Sequence, residues 1–275
     1  MINYNGTIIS TEQYFLSHNN RGFKYGDALF ETLKVEGNSI IFSEDHYFRL
    51  MASMRMIRMK IPMTFTQEFF EEQINKTVNA NQLESARVRF TVFRKDGGLY
   101  LPNSNDIDFV VEAYQLDNNS KQEYEIDIFK DHYVLSGLLS TLKSNNKLLN
   151  VVASVYADEN GLDNCVLLNE KKNIVEAING NIFLVKANSI ITPSLTEGCL
   201  KGIIRKKIVE ILQRDDNYEI IETEIFPFEL QKADEIFITN SIVGIQSVTQ
   251  YKKKTYTTEV AQYLKEKLKE LEAKN

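Results

Sequence analysis

Between Gln115 and Gln122 the chain reads Gln-Leu-Asp-Asn-Asn-Ser-Lys-Gln, the most polar and least patterned stretch of its interior. A segment of this kind has no apolar face to bury and does not belong to a packed element. It divides the 275 residues into two parts that each mix strand-like and helix-like patterns. Such mixing on both sides predicts an α+β (α/β mixed) protein of two domains, residues 1–114 and 123–275, joined by a linker over 115–122.

In the first part, residues 2–9 read as strand around an Asn5-Gly6 turn, a strong hairpin dipeptide. Arg21–Asp27 reads as a glycine-punctuated loop. Leu29–Val35 and Ile40–Phe42 form a second expected hairpin, turning at Glu36-Gly37-Asn38. Ser43 is expected to cap a helix with Glu44 and Asp45 in its first turn. Tyr47, Leu50, Met51, Met54, Ile57 and Ile61 then recur at helical spacing, and Pro62 ends the run. A helix over 66–80 and strands over Ala86–Arg94 and Ile107–Tyr114 complete this part. In the second part, strands are expected at Tyr124–Phe129, Cys165–Leu168, Ile182–Val185, Ile190–Thr192 and Glu235–Thr239. Helices are expected at 145–159, Ile203–Arg214 and Val260–Lys274, the last as a charged, solvated helix.

Composition narrows the function classes. Hydrophobic residues at 43% and charged residues at 25% supply a core and exclude disorder as the main state. A net charge of −6 argues against nucleic acid as the main partner, because phosphate neutralisation needs a basic surface. Two cysteines, Cys165 and Cys199, exclude a secreted disulfide framework. The start lacks a basic region followed by an apolar run, and no stretch approaches the ~20 apolar residues of a spanning helix. The expectation is a soluble, cytoplasmic protein with no membrane partner.

Local chemistry is sparse. His18, His46 and His132 show no metal-ligand spacing, and no Gly-x-Ser-x-Gly elbow is present. Cys165 in an apolar strand reads as a small buried residue. The glycines after Arg21 do not have dinucleotide-binding spacing, and a strand follows them where a helix would be needed. His46 and Arg49, three apart, share a helix face, and an arginine there can hold a phosphate through its planar fork. Arg87 and Arg89 share one face of a strand and Arg94 takes the other. A cation on a buried strand wants an anion, from the protein or from a substrate.

Taken in order, these pieces resemble the class IV aminotransferases. Arg21-Gly22-Phe23-x-Tyr25-Gly26-Asp27-x-x-Phe30-Glu31-Thr32 resembles their opening signature, and His46-x-x-Arg49-Leu50 their phosphate-binding helix. Lys143-Ser144-x-Asn146 resembles the segment of the Schiff-base lysine. Val175-Glu176 followed by Asn181-Ile182-Phe183 resembles the segment whose glutamate faces the pyridine nitrogen. Leu200-Lys201-Gly202-Ile203-x-Arg205 resembles the phosphate-binding turn, and Thr239-Asn240-Ser241 the last phosphate loop.

The resemblance implies a two-domain, fold type IV enzyme like the D-amino acid aminotransferases, dependent on pyridoxal 5′-phosphate (PLP) and homodimeric. It implies that Lys143 bonds the cofactor and moves the substrate proton, and that Glu176 keeps the ring nitrogen protonated. Arg49, the N–H groups of Ile203 and Ile204, Asn240 and Ser241 are implied to bind the cofactor phosphate. Phe30, Arg89 and Arg94 are implied on the substrate side. The family includes branched-chain aminotransferases, D-amino acid aminotransferases and aminodeoxychorismate lyase. Three departures lean toward the lyase, which releases 4-aminobenzoate and pyruvate for folate synthesis. Ile204 stands where many transaminases have Thr, Lys147 where several have Tyr, and Asn240-Ser241 where Gly-Thr or Ser-Thr is usual. A class IV aminotransferase acting on branched-chain or D-amino acids with 2-oxoglutarate is the alternative, and a non-catalytic PLP-binding protein the third reading.

Overall fold

Asn5 and Gly6 both take positive φ, 49° and 86°, the turn geometry whose twist matches two flanking strands. They close the hairpin of β1 (Ile2–Tyr4) and β2 (Thr7–Ile9). The computed structural model describes residues 1–13, 15–37, 39–117 and 120–274. The tip expected at Asn38 and the linker residues Asn118 and Asn119 lie outside the described residues. The described chain divides into two compact units, 1–117 with 143–146, and 120–142 with 147–274. The segment 143–146, expected with the second domain, therefore packs with the first unit.

In the first unit the hairpin is followed by α1 (Arg21–Tyr25), β3 (Ala28–Glu36), β4 (Ser39–Ile40), α2 (Ser43–Met56), α3 (Gln67–Ala80), β5 (Ser85–Arg94) and β6 (Ile107–Gln115). The strands form one antiparallel sheet ordered β2-β1-β6-β5-β3-β4. Strict alternation puts Leu33, Val88, Phe90 and Val111 on one face, where α2 and α3 cover them. Phe90 is central there, with ring centroids 4.8 Å from Phe70 and 5.2 Å from Phe109.

Three local expectations are corrected. Arg21–Asp27 is not all loop: Asn20 caps α1 by accepting the Phe23 N–H at 2.9 Å. Ser43 does not cap α2 but begins it, and its hydroxyl donates to Glu71 at 2.7 Å. Ile57 and Ile61 are not helical. Arg58 takes a φ of 60°, and its N–H and that of Met59 turn back to the carbonyls of Arg55 and Met54 at 3.0 and 2.9 Å. This paired closure stops α2 at Met56.

The closure also explains Arg94. Its Nε donates to Asp27 at 2.9 Å, one terminal nitrogen to the Ile57 carbonyl at 2.8 Å, and the other to the Arg58 carbonyl at 3.3 Å and to Asn105. Asp27 also accepts from Arg21 at 2.9 Å. Arg94 is thus a buried clamp between the end of β5 and the end of α2, which corrects its placement on the substrate side.

The second unit contains β7 (Glu125–Ile128), α4 (Leu148–Glu159), β8 (Asn164–Leu168), β9 (Ile174–Ala177), β10 (Asn181–Lys186), β11 (Ser189–Pro193), α5 (Ile203–Leu212), β12 (Glu219–Thr223), α6 (Glu229–Lys232), β13 (Glu235–Asn240), β14 (Gly244–Val248), β15 (Gln250–Tyr251), β16 (Lys254–Thr255) and α7 (Glu259–Glu272). Two five-stranded sheets result, ordered β12-β11-β10-β13-β14 and β16-β15-β7-β8-β9. Ile126, Val166, Ile182, Leu184, Ile236 and Ile238 from both sheets share one buried core. α5 and α7 both pack against β13, and Glu235 caps α7 by accepting the N–H groups of Val260 and Ala261 at 3.0 and 3.1 Å. The terminal helix is therefore not wholly solvated, for Ala261, Leu264 and Leu268 are buried.

Replacing Arg94 by Ala leaves two part-buried carbonyls without that donor and Asp27 with one cation. The expected loss is about 3 kcal/mol, read as a lower urea midpoint at unchanged slope. A loss below about 0.5 kcal/mol, the level of an ordinary surface substitution, would show that the clamp is not structural.

Candidate active site

Residues 143–145 lengthen the edge of β3. The Phe30 N–H donates to the Lys143 carbonyl at 2.8 Å, and the Asn145 N–H to the Ala28 carbonyl at 3.0 Å, with Leu29 opposite Ser144. Main-chain bonds thus hold Lys143 beside Phe30. The Lys143 Nζ lies 4.7 Å from the Phe30 ring centre, and the Arg89 guanidinium carbon lies 3.6 Å from it. Arg89 donates to Asn145 at 2.9 Å and to Thr91 at 3.2 Å. Burial lowers the Arg89 pKa, opposed by Glu112 across the strand and assisted by Arg87. Lys143, Phe30 and Arg89 are therefore brought together, while Arg94 is not.

Glu31 follows Phe30 and by strand alternation faces the other way, toward α2. It is 1% exposed. Arg49 grips it with Nε at 2.8 Å and with a terminal nitrogen on the other oxygen, and His46 Nδ1 lies 2.7 Å from the same carboxylate. The expected shared face of His46 and Arg49 is thus filled by a carboxylate of the protein. Burial alone would raise the Glu31 pKa, but the Arg49 charge and the His46 hydrogen bond outweigh it and hold the carboxyl at about 2. Burial pushes His46 down, aided by Arg49 and Lys143, although Glu31 pulls it up. The ring is then neutral and its Nδ1–H donates to Glu31. Glu31 had no role in the sequence reading. Its signal was a carboxylate at an inward strand position, opposite two potential cations three apart on one helix.

In the second unit, Glu176 lies opposite Leu167 between β8 and β9, and its carboxylate accepts the Leu200 N–H at 2.9 Å. The Asn181 amide donates to the Leu200 carbonyl at 2.8 Å. The turn leads to Gly202, where an added Cβ would lie 2.0 Å from the Asn181 Oδ1. Only glycine admits this approach. Ile203 and Ile204 open α5, both buried, and no side chain caps the helix. Arg205 in the same turn donates to the Pro193 carbonyl at 2.8 Å and to Glu222 at 2.5 Å. After β13, the Asn240 side-chain oxygen accepts the N–H groups of Ile242 and Val243, both at 3.0 Å. That turn places Ser241, half-buried, at the strand end.

A dianion fits the head of α5. Its first-turn N–H groups are buried without a side-chain cap, and the Thr239 hydroxyl is buried without a hydrogen-bond partner. A thiol chemistry does not fit, since burial raises Cys165 to about 11 and Cys199 to about 12. No helix among the described residues is long and apolar enough to cross a membrane.

The family model of class IV amino-transferases matches residues 28–251. A Methanocaldococcus jannaschii protein whose name assigns it as a branched-chain-amino-acid aminotransferase is 27% identical over 98% of this chain and 96% of its own. The aminodeoxychorismate lyase of Vibrio harveyi is 25% identical, covering 83% of this chain and 84% of its own. Among solved structures, the branched-chain aminotransferase of Thermoproteus uzoniensis with norvaline superposes with a TM-score of 0.89 at 22% identity, covering 98% of this chain and 94% of that one.

Acid should weaken the fold in two stages. His46 is held below its ordinary 6.5, so below that pH the unfolded chain takes a proton that the fold refuses, and stability falls. Glu31 is held at about 2 against an ordinary 4.5, so its contribution is present above 4.5 and is lost as pH falls toward 2. Urea midpoints measured across pH should show both limbs, and His46→Gln should flatten the upper one. An unchanged upper limb in that variant would show that His46 does not carry it.

Proposed function

The chain belongs to the class IV aminotransferases, which are PLP-dependent enzymes, and from that premise we propose that it is a 4-amino-4-deoxychorismate lyase. The observation that carries this reading is the Thr239-Asn240-Ser241 turn, in which Asn240 closes the backbone with its own side chain. This triplet is lyase-like, and an asparagine there does work that a glycine cannot. Lys147 and Ile204 agree with it.

The cofactor, when bound, supplies an electron sink for the bonds of a substrate amine. Lys143 would be the residue that holds it through its side-chain amine and that takes and returns the proton at the substrate carbon. The Phe30 ring beside the amine limits its solvation and fixes its approach. Glu176, held in place by the Leu200 N–H, would pair with the ring nitrogen. In the second unit the N–H groups of Ile203 and Ile204 and the side chains of Asn240 and Ser241 would hold the phosphate. By the resemblance Arg49, oriented by Glu31 in the first unit, would be a phosphate ligand as well. Arg89 and Phe30 meet the substrate, where a cation over a ring suits a carboxylate on a flat unsaturated ring. A substrate that becomes aromatic on losing pyruvate would favour elimination, and Lys143 is the residue placed to move the proton that this requires.

Transamination is the second reading. It is favoured by the name of the Methanocaldococcus jannaschii relative and by Arg89, which serves an amino-acid carboxylate equally well. The protein acts as a homodimer in either case. Leu148, Val151 and Val155 form an exposed apolar stripe on α4, at 77%, 56% and 52% exposure, suited to being covered by a second copy.

The purified protein should absorb near the visible range, and Lys143→Ala should abolish that band. Aminodeoxychorismate should yield 4-aminobenzoate and pyruvate, while amino acids with 2-oxoglutarate turn over slowly or not at all. The reverse pattern would make the enzyme a transaminase. A Glu176→Ala variant should keep the band but lose at least about tenfold in turnover, since the ring nitrogen loses its charged partner. Wild-type turnover there would remove Glu176 from the mechanism.

A further inference from the structure

Among the described residues, two buried side-chain polar atoms have no hydrogen-bond partner, Thr239 Oγ1 and Arg205 Nε. Arg205 lies in the first turn of α5, and Thr239 lies on the strand against which α5 packs. An unsatisfied buried hydroxyl is unfavourable, and native folds rarely keep one without use.

Alternation along β13 gives the direction of the Thr239 side chain. Ile236 and Ile238 point into the core between the two sheets. Phe237 and Thr239 take the opposite face, where Phe237 stacks on Phe183 at 4.9 Å. On that face Thr239 stands opposite Asn181. The Asn181 amide in turn binds the Leu200 carbonyl and fills the space beside Gly202, at the entrance to α5. The hydroxyl of Thr239, a residue 2% exposed, is therefore aimed at the same uncapped helix head. Ile204, at the second position of that helix, offers no hydroxyl of its own.

We infer that Thr239 is a ligand of the phosphoryl group held at the head of α5, its Oγ1–H donating to a phosphate oxygen and replacing the hydroxyl that Ile204 lacks. The inference rests on the PLP reading above and adds to it a role for Thr239, the one residue of the Thr239-Asn240-Ser241 triplet to which the resemblance gave none of its own. The fold keeps a donor unsatisfied in the free protein, and the anion satisfies it.

The test uses the full-length protein with Thr239→Val, which keeps the shape and removes the hydroxyl, and Thr239→Ser, which keeps the hydroxyl. PLP dissociation constants from the visible band should rise by about tenfold or more in Thr239→Val, the ordinary worth of a hydrogen bond to a charged group. They should stay near wild type in Thr239→Ser. Phosphate-free pyridoxal should bind wild type and Thr239→Val equally. Without ligand, Thr239→Val should melt at or above the wild-type temperature, because an unsatisfied group is gone. Equal PLP affinity in Thr239→Val, or an equal loss toward pyridoxal, would overturn the inference. Inorganic phosphate separates it from the PLP reading. If wild type shows no visible band, protection from thermal unfolding by millimolar phosphate, lost in Thr239→Val, still supports the hydroxyl as an anion ligand. Protection that is absent, or equal in both, overturns it.

Discussion

The carboxylate of Glu31 is buried in the wall of the first unit's core, where an uncompensated charge would not survive folding. Compensation comes from one helix face, His46 and Arg49 on α2, so the charge also fixes how α2 seats on β3. One peptide earlier, Phe30 points the other way and carries Lys143 and Arg89 over its ring. The buried ion group and the proposed reacting amine are thus mounted on opposite faces of the same strand. A shift in the first would move the backbone that anchors the second, whose Lys143 carbonyl is bonded to the Phe30 N–H. The guanidinium of Arg49 is likewise fixed in direction, because Glu31 holds its fork.

Glycine at 202 illustrates a different kind of necessity. Its φ of −68° is open to any residue, so conformational freedom does not explain it. Space does: the Asn181 side chain occupies the position of a Cβ. That asparagine binds the Leu200 carbonyl, while Glu176 accepts the Leu200 N–H. The peptide units around Leu200 are thereby held from both sides, and the first N–H groups of α5 inherit that fixed direction.

Periodicity made most of the fold legible. The alternation of Ala86–Arg94 and the helical recurrence from Tyr47 to Met54 correspond to β5 and α2. What it could not reveal depended on partners distant in sequence. Arg94 was a strand cation in want of an anion, and nothing local indicated Asp27 or the carbonyls at the end of α2. Ile57 and Ile61 continued an apolar recurrence that the backbone abandons at Arg58, a residue type that does not advertise a positive φ. The site residues were legible through ordered motifs and hardly at all through local chemistry. Glu31 stood inside one of those motifs without a role until its helix partners were placed. Thr239 stood inside another, its unsatisfied hydroxyl invisible without three-dimensional neighbours.

The short pairing of residues 143–145 with β3 has a consequence for how the chain comes into being. A nascent chain that has reached only residue 117 holds nearly the whole first unit, yet the Ala28 carbonyl and the Phe30 N–H still lack their partners. Until residue 145 emerges, that stretch of β3 is a bare strand edge next to an aromatic ring, the kind of surface that recruits foreign strands. The same two hydrogen bonds that hold the lysine in place also seal this edge. The edge of the first unit's sheet and the position of the proposed reacting amine thus depend on the same two bonds.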